Sequence, residues 1–464
     1  VSPARIRAAA LAAATLLLIG GCSAGTSSFA PSDAPSDTPG PPRPAAGAAG
    51  YTLKIAMGED FTTSRIDYRL VQAWNDSRKQ HPERPRAEVV ELTSDSDPEH
   101  AELAAEGQLG SSALDVVSLD VTWIPEFVKA GLVHQLPNRM LDGMIPVVRQ
   151  SGQDEKHRTW AVPFRTDVGL LYYRKDQLGP APSGGWTWQQ INHLLSGNQA
   201  KFKDRYATQL KQYEGLTVNA LESVAGDLNA APGPVLTGKD GQASISGDTS
   251  KAVVKGLVDL WTDVNYTWDN KSSLSMDEAS SQAAFTAGQA LFMRNWPYAY
   301  EAMDSRKNQK GSAAEFRAGT AYGVTALPGA TVLGGWDLAV AKNSPHAYWA
   351  QQLIAFLTSP TSQDCLLQGG NPPVLASSYD DNQRRPCPAA VYSAPPDAGL
   401  VPIATTIKDQ LDRAVLRPRT PYYSDFSQTL QAEATRVLRA PSRGAAERIA
   451  EQVPAKLRAA LTGH

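Results

Sequence analysis

The chain has 464 residues, 42% apolar and 20% charged, which is ordinarily globular and long enough for two or three domains at about 150 residues each. Its formal net charge is −3, so no basic excess points to nucleic acid or to an anionic membrane surface. Seven histidines are scattered and never fall at metal-ligand spacing such as HExxH, which argues against a histidine-built metal site. No cofactor is expected.

Read in chain order, Arg5 and Arg7 precede an apolar run from about Ala8 to Ile19. That run is too short for a bilayer, which needs about 20 residues. With Gly20 and Gly21 leading into Cys22, residues 1–21 have a secretory signal layout. The ending IGGC resembles the lipobox of bacterial lipoproteins, in which the cysteine is lipidated. The alternative is a soluble secreted protein in which Cys22 is incidental. Residues 22–50 are rich in Pro, Ser, Ala and Gly, bury almost nothing and read as a disordered tether.

From Tyr51 onward short strands alternate with helices. YTLKIAM, AEVVEL and LDVVSLD read as strands, and Leu70, Val71 and Trp74 lie at helical spacing between the first two. Such alternation argues an α/β fold with helices on the faces of a parallel or mixed sheet, where ligands bind beyond the carboxyl ends of the strands. Asp120 ends the third strand and is either a cleft residue or a cap for the helix that follows. In WAVPFRTDVGLLYYRKDQL the chain looks set to cross from one sheet to another, with Asp167 at the crossing or in a plain turn. Glu214 of KQYEGL stands just before an amphipathic helix.

ALFMRNWPYAY, residues 290–300, opens as a buried strand that Pro297 must end, since proline has no N–H for a ladder. Trp296 is then either core filling or a flat surface for a ligand, and Tyr298 and Tyr300 are open in the same way. Gly334, Gly335 and Trp336 stand at a further strand entrance, and Arg417 precedes Tyr422 and Tyr423 ahead of the last helices. Cys365 and Cys387 form a disulfide in an exported protein or remain buried thiols.

Carboxylates accept from vicinal hydroxyls, a guanidinium donates a planar fork, and indole rings lie flat on the C–H face of a sugar. The ordered set LDVVSLDVTWIPEFVKAG, VPFRTDVGLLYYRKD, KQYEGL, AAFTAGQALFMRNWPYAY, LGGWDLAVAK, GGNPPVLASSYDD and AVLRPRTPYY resembles extracellular solute-binding proteins of family 1. Within that family it is most similar to trehalose/maltose-binding lipoproteins, over essentially all of residues 51–464.

The resemblance implies a two-lobed, hinged periplasmic-binding-protein-like fold with interleaved lobes, 51–164 with 298–344 and 165–297 with 345–464. It implies a non-enzymatic, monomeric receptor on the outer face of the membrane. Such a receptor delivers an α-linked gluco-disaccharide to the permease subunits of an ABC importer, which works with a cytoplasmic ATPase. Asp120, Asp167, Glu214 and Arg417 would hydrogen-bond the sugar, Trp296 would stack on it, and Gly334, Gly335 and Trp336 would line the cleft. Arg165, Asp337 and the GGNPP segment depart from the family pattern and bear on which sugar fits. The same scaffold with another oligosaccharide or modified sugar is the first alternative. A glycoside hydrolase, which needs two carboxyl groups about 5–9.5 Å apart around one glycosidic bond, is the second.

Overall fold

The computed structural model describes residues 40–43, 49–93, 96–110, 112–197, 202–238, 242–268, 271–305, 318–395 and 397–463. The expected signal segment, Cys22 and most of the tether lie outside them. Among the described residues no helix is long and apolar enough to cross a membrane.

Eleven strands are present in the described residues: β1 Thr52–Met57, β2 Arg86–Glu91, β3 Val116–Asp120, β4 Val162–Asp167, β5 Leu170–Arg174, β6 Arg205–Ala207, β7 Gly233–Pro234, β8 Ala290–Asn295, β9 Tyr322–Ala326, β10 Gly334–Val340 and β11 Val415–Leu416. They build a five-stranded sheet, β2-β1-β3-β10-β4, a four-stranded sheet, β6-β8-β5-β9, and a two-stranded pair, β11-β7. In the first sheet β1, β2 and β3 are parallel and β10 runs antiparallel to both neighbours.

Both faces of each sheet are covered, which is what the apolar runs in β1, β3, β5 and β8 require. Leu53, Ile55 and Met57 of β1 pack with Ile66, Leu70 and Trp74 of the helix Ile66–Ser77, while Ala56 turns to Leu119 and Phe127 on the other side. In β5, Leu170 and Tyr172 point one way and Leu171 and Tyr173 the other. Side chains alternate along a strand, so these apolar runs bury themselves twice over.

The chain crosses from the first sheet to the second between Asp167 and Leu170, with Val168 and Gly169 as the whole connection. Two later segments are placed differently from the expected lobe division. β9 lies in the second sheet, paired along β5, although residues 298–344 were assigned to the first lobe. The helices Ala347–Leu357 and Pro360–Gly369 pack on the helix Ile66–Ser77 beside the first sheet, although 345–464 were assigned to the second. Leu353, Ile354, Leu357 and Leu366 share a core with Leu53 and Trp74. Cys365 and Cys387 are joined by a disulfide across a separation of 22 residues.

Candidate functional site

The register of the first sheet brings three candidates into one row. Trp336 of β10 stands opposite Asp120 of β3 and Arg165 of β4, and Gly334 stands opposite Asp167. A bulge between Trp336 and Asp337 breaks the alternation. Trp336 therefore packs on the face of Trp123 and Ala339, while Leu338 faces the core of Leu53. The Trp336 and Trp123 rings meet edge to face at 5.6 Å, and the Arg165 guanidinium lies 5.7 Å from the Trp336 ring.

Gly335 has a φ of 134°, and a Cβ there would stand 2.6 Å from the Arg165 carbonyl oxygen. A side chain is excluded by both backbone conformation and contact. A Cβ on Gly334 would lie 3.2 Å from the Asp167 Cβ and 3.4 Å from the Trp296 indole, so this glycine sits against both.

Asp120 serves two elements at once. Its Oδ1 accepts from the Thr122 N–H at 2.9 Å and from Thr122 Oγ1 at 2.7 Å, a local turn. It does not cap the following helix Ile124–Lys129, whose first position follows Trp123 without a side-chain cap. The same carboxylate accepts from Arg417 Nη2 at 2.9 and 3.2 Å. Arg417, just beyond β11, donates its Nη1 to Glu214 Oε1 at 2.7 Å. Glu214 opens the helix Glu214–Asp227 and also accepts from Tyr423 Oη and from Ser427 Oγ. Residues distant in sequence thus form one network, Asp120–Arg417–Glu214–Tyr423–Ser427. Burial pushes the Glu214 carboxyl up, and Arg417 opposes that shift.

Asp167 is held differently. Burial raises its carboxyl to about 7, with Arg165 and Arg294 pulling it down. No hydrogen bond contributes to that balance, so among the described residues its oxygens remain available as acceptors. Beneath it, Arg165 Nε lies 3.5 Å from Asp67 Oδ2, and neither atom has a hydrogen-bond partner in the described residues. The GGNPP segment backs this strand: the Pro372 carbonyl accepts from Thr166 N–H, and Asn371 donates to Asp67 Oδ1.

Trp296 follows β8 directly and is half-buried. The buried Arg294, bound to Glu222 at 2.8 and 3.2 Å, lays its guanidinium 3.9 Å from the Trp296 ring centroid. The indole Nε1 donates to Glu278 Oε1 at 3.2 Å. The ring is therefore held from one face and at its polar edge. Tyr300 packs against the core with Tyr322, whereas Tyr298 stands in the field of Asp167 and against the half-exposed Phe61.

Asp337 belongs beneath the sheet. It is 1% exposed, accepts from Ser151 Oγ at 2.7 Å, and burial pushes its carboxyl up to about 8. Sequence reasoning missed Tyr423 as a partner of Glu214, Ser427 one helical turn further, and Glu278 and Arg294 as the clamp on Trp296. Tyr423 lay in the quoted RPRTPYY stretch, and Arg294 preceded Trp296 by two residues. Glu278 had no local signal.

A cavity of about 150 Å³ lies beside the network, lined by His100, Asp120, Trp123, Glu214, Tyr423 and Ser427. A larger one, about 410 Å³, lies elsewhere, among helices beside the second sheet. Chemistry rather than volume marks the smaller one as the candidate site.

Residues 78–392 match the family described as bacterial extracellular solute-binding protein. The chain belongs to this family. The family and its solved neighbours are binding proteins, and its members work outside the cytoplasm. Among relatives of this solute-binding protein is a probable ABC transporter-binding protein of Deinococcus radiodurans, 30% identical over 375 residues, which are 75% of this chain and 80% of the relative. Maltose-bound MalE3 of T. maritima superposes with a TM-score of 0.69 at 24% identity, covering 88% of this chain and 99% of its own. The GacH receptor of Streptomyces glaucescens, solved unliganded and with acarbose, gives 0.67 at 18%, covering 89% and 99%. A solute-binding protein of Thermotoga lettingae bound with α-D-tagatose gives 0.66 at 20%, covering 88% and 100%. These likenesses establish the periplasmic solute-binding fold for the chain.

Proposed function

We propose that this solute-binding protein is the sugar receptor of an ABC importer and closes on an α-linked gluco-disaccharide, trehalose or maltose-like, between its two sheets. The observation that carries the reading is the convergence of Asp120, Glu214 and Arg417 into one network, with Trp336 in register beside Asp120 and Trp296 over Gly334. Asp167 supplies unbonded acceptor oxygens, and Arg417 Nε is a buried donor without a partner among the described residues. A hydroxyl-rich ring satisfies both sets, because buried polar groups in native structures are normally paired. The cavity of about 150 Å³ is below the roughly 300 Å³ of an ordinary ligand pocket, so entry requires the sheets to hinge apart.

Two further parts of the reading come from sequence. Residues 1–21 direct export, and lipidation of Cys22 holds a monomeric body outside the membrane on the tether of residues 22–50. The lobe division rests instead on sheet membership and packing: lobe 1 comprises the first sheet with 347–369, and lobe 2 the second sheet with the helices after β11. A glycoside hydrolase fits less well, because the family that the chain matches and its solved neighbours are binding proteins.

Isothermal calorimetry against trehalose, maltose, maltotriose and acarbose tests the ligand class. Binding of at least one with 1:1 stoichiometry is expected, and no heat from any of them with folded protein overturns the reading. Preference for acarbose over trehalose would favour a longer, amine-bearing sugar on the same scaffold. Cys22→Ser should release the protein from the membrane fraction, and unchanged retention would contradict the anchor.

A further inference from the structure

The larger cavity, about 410 Å³, is of ordinary ligand size and meets the site described above only through Glu222, the partner of Arg294. It lies between the helices Trp188–Gly197, Glu214–Asp227 and Gly247–Thr262 and the segment 327–330. None of Asp120, Asp167, Glu214, Trp296, Trp336 or Arg417 lines it.

One wall is aromatic. Tyr206 and Trp268 stack with centroids 4.4 Å apart, and Trp188 stands 5.7 Å from Tyr206 and 6.1 Å from Trp268. The other lining is acidic, with Glu222, Asp227, Asp259 and Asp263. Two cations answer three of these four carboxylates: Arg294 binds Glu222, while Lys255 is shared by Asp227 at 2.6 Å and Asp259 at 2.5 Å. Asp263 has no cation among its electrostatic neighbours in the described residues, and burial raises its carboxyl to about 6.

Three lining residues carry buried polar atoms without a partner among the described residues: Asn192 Oδ1, Asp227 Oδ2 and Trp268 Nε1. Trp268 is only 4% exposed, so its N–H has little access to water. Two of these atoms ask for a donor and one for an acceptor. A cation over aromatic faces is drawn to the negative face of the ring quadrupoles as well as to the carboxylates.

We propose that this cavity is a second binding site, independent of the sugar reading, for a small hydroxylated amine such as an amino sugar or amino alcohol. The ammonium group answers the surplus carboxylates and the acceptor atoms of Asp227 and Asn192. A ligand hydroxyl oxygen accepts from the Trp268 indole, and the carbon skeleton lies on the Trp188–Tyr206–Trp268 wall.

The test uses D-glucosamine as probe and D-glucose as its uncharged counterpart, in calorimetry at neutral pH on the full chain. Glucosamine should bind at concentrations below about 10 mM, and glucose at least tenfold more weakly, a difference of about 1.4 kcal/mol. Asp263→Asn and, separately, Trp188→Ala should each weaken glucosamine at least tenfold while leaving disaccharide binding as in the parent. Trp188→Ala removes a half-buried ring and serves if Asp263→Asn does not fold. Asp120→Ala should leave glucosamine binding intact. The proposal is overturned if glucosamine gives no heat, if glucose binds as well, if either cavity variant binds it like the parent, or if Asp120→Ala abolishes its binding. The last outcome would place the probe in the sugar cleft.

Discussion

Arg417 and Asp120, 297 positions apart in the chain, form an ion pair in which Nη2 alone reaches both carboxylate oxygens, at 2.9 and 3.2 Å, with the arginine side chain 3% exposed. The second guanidinium arm reaches Glu214 at 2.7 Å. Removing one member of a buried pair costs about 3–5 kcal/mol, because the partner is left charged and unsolvated. Arg417→Ala should therefore lower the melting temperature of the ligand-free protein by several degrees and also abolish disaccharide binding. Loss of binding with an unchanged melting curve would show that the pair adds nothing to stability.

Trp296 is clamped by Arg294 and Glu278 yet is half-buried rather than core. Trp296→Ala should cost about 1–2 kcal/mol, less than the roughly 3–5 kcal/mol of a fully buried aromatic. Disaccharide affinity should fall at least tenfold, or about 1.4 kcal/mol. Calorimetry and denaturant melts on the same preparation separate the two effects, and intact affinity would assign the ring to the core.

Gly335→Ala sets a Cβ 2.6 Å from the Arg165 carbonyl oxygen at a φ that only glycine adopts freely. A strained backbone position of this kind costs about 1–3 kcal/mol before the clash is counted. The variant should unfold at lower denaturant concentration than the parent, and an equal midpoint would mean that β10 shifts to accommodate it.

Asp337 titrates at about 8 in the folded chain against about 4 when unfolded. The folded state keeps a proton that the unfolded state loses across this window. Its contribution is therefore fully present below pH 4 and is lost as pH rises to about 8. Asp337→Asn keeps an acceptor for Ser151 and does not ionise. Its melting temperature relative to the parent should rise between pH 5 and pH 9, and a pH-independent difference would refute the assignment.

Serine at both Cys365 and Cys387 removes a link that closes a loop of 22 residues, worth about 3 kcal/mol in the chain-entropy account. Midpoint denaturant should fall by the corresponding amount with sugar binding preserved, since neither cysteine touches the site described here. A fall in affinity would tie the disulfide to the cleft.

Local chemistry made much of the fold legible. The apolar runs at 52–57, 116–120 and 290–295 became strands buried on both faces, Pro297 ended β8, and the chain crosses between sheets immediately after Asp167. Those outcomes depend on side-chain alternation and on proline's missing N–H, which a sequence displays directly. The lobe boundaries were not legible. Whether residues 347–369 lie by the first sheet or the second depends on which apolar surfaces meet, and both choices bury the same leucines.

The candidate site divides along the same line. Aspartate, glutamate, arginine and tryptophan at strand ends could be nominated from sequence by their chemistry. That Asp120 and Glu214 share Arg417, that Asp167 keeps its oxygens unbonded among the described residues, and that Asp337 turns to Ser151 came only from the tertiary structure. A hydrogen-bond network joins groups hundreds of residues apart, and a single bulge at Trp336 decides which face a side chain takes. Residue type is written in the chain, but the partner and the face are set by packing.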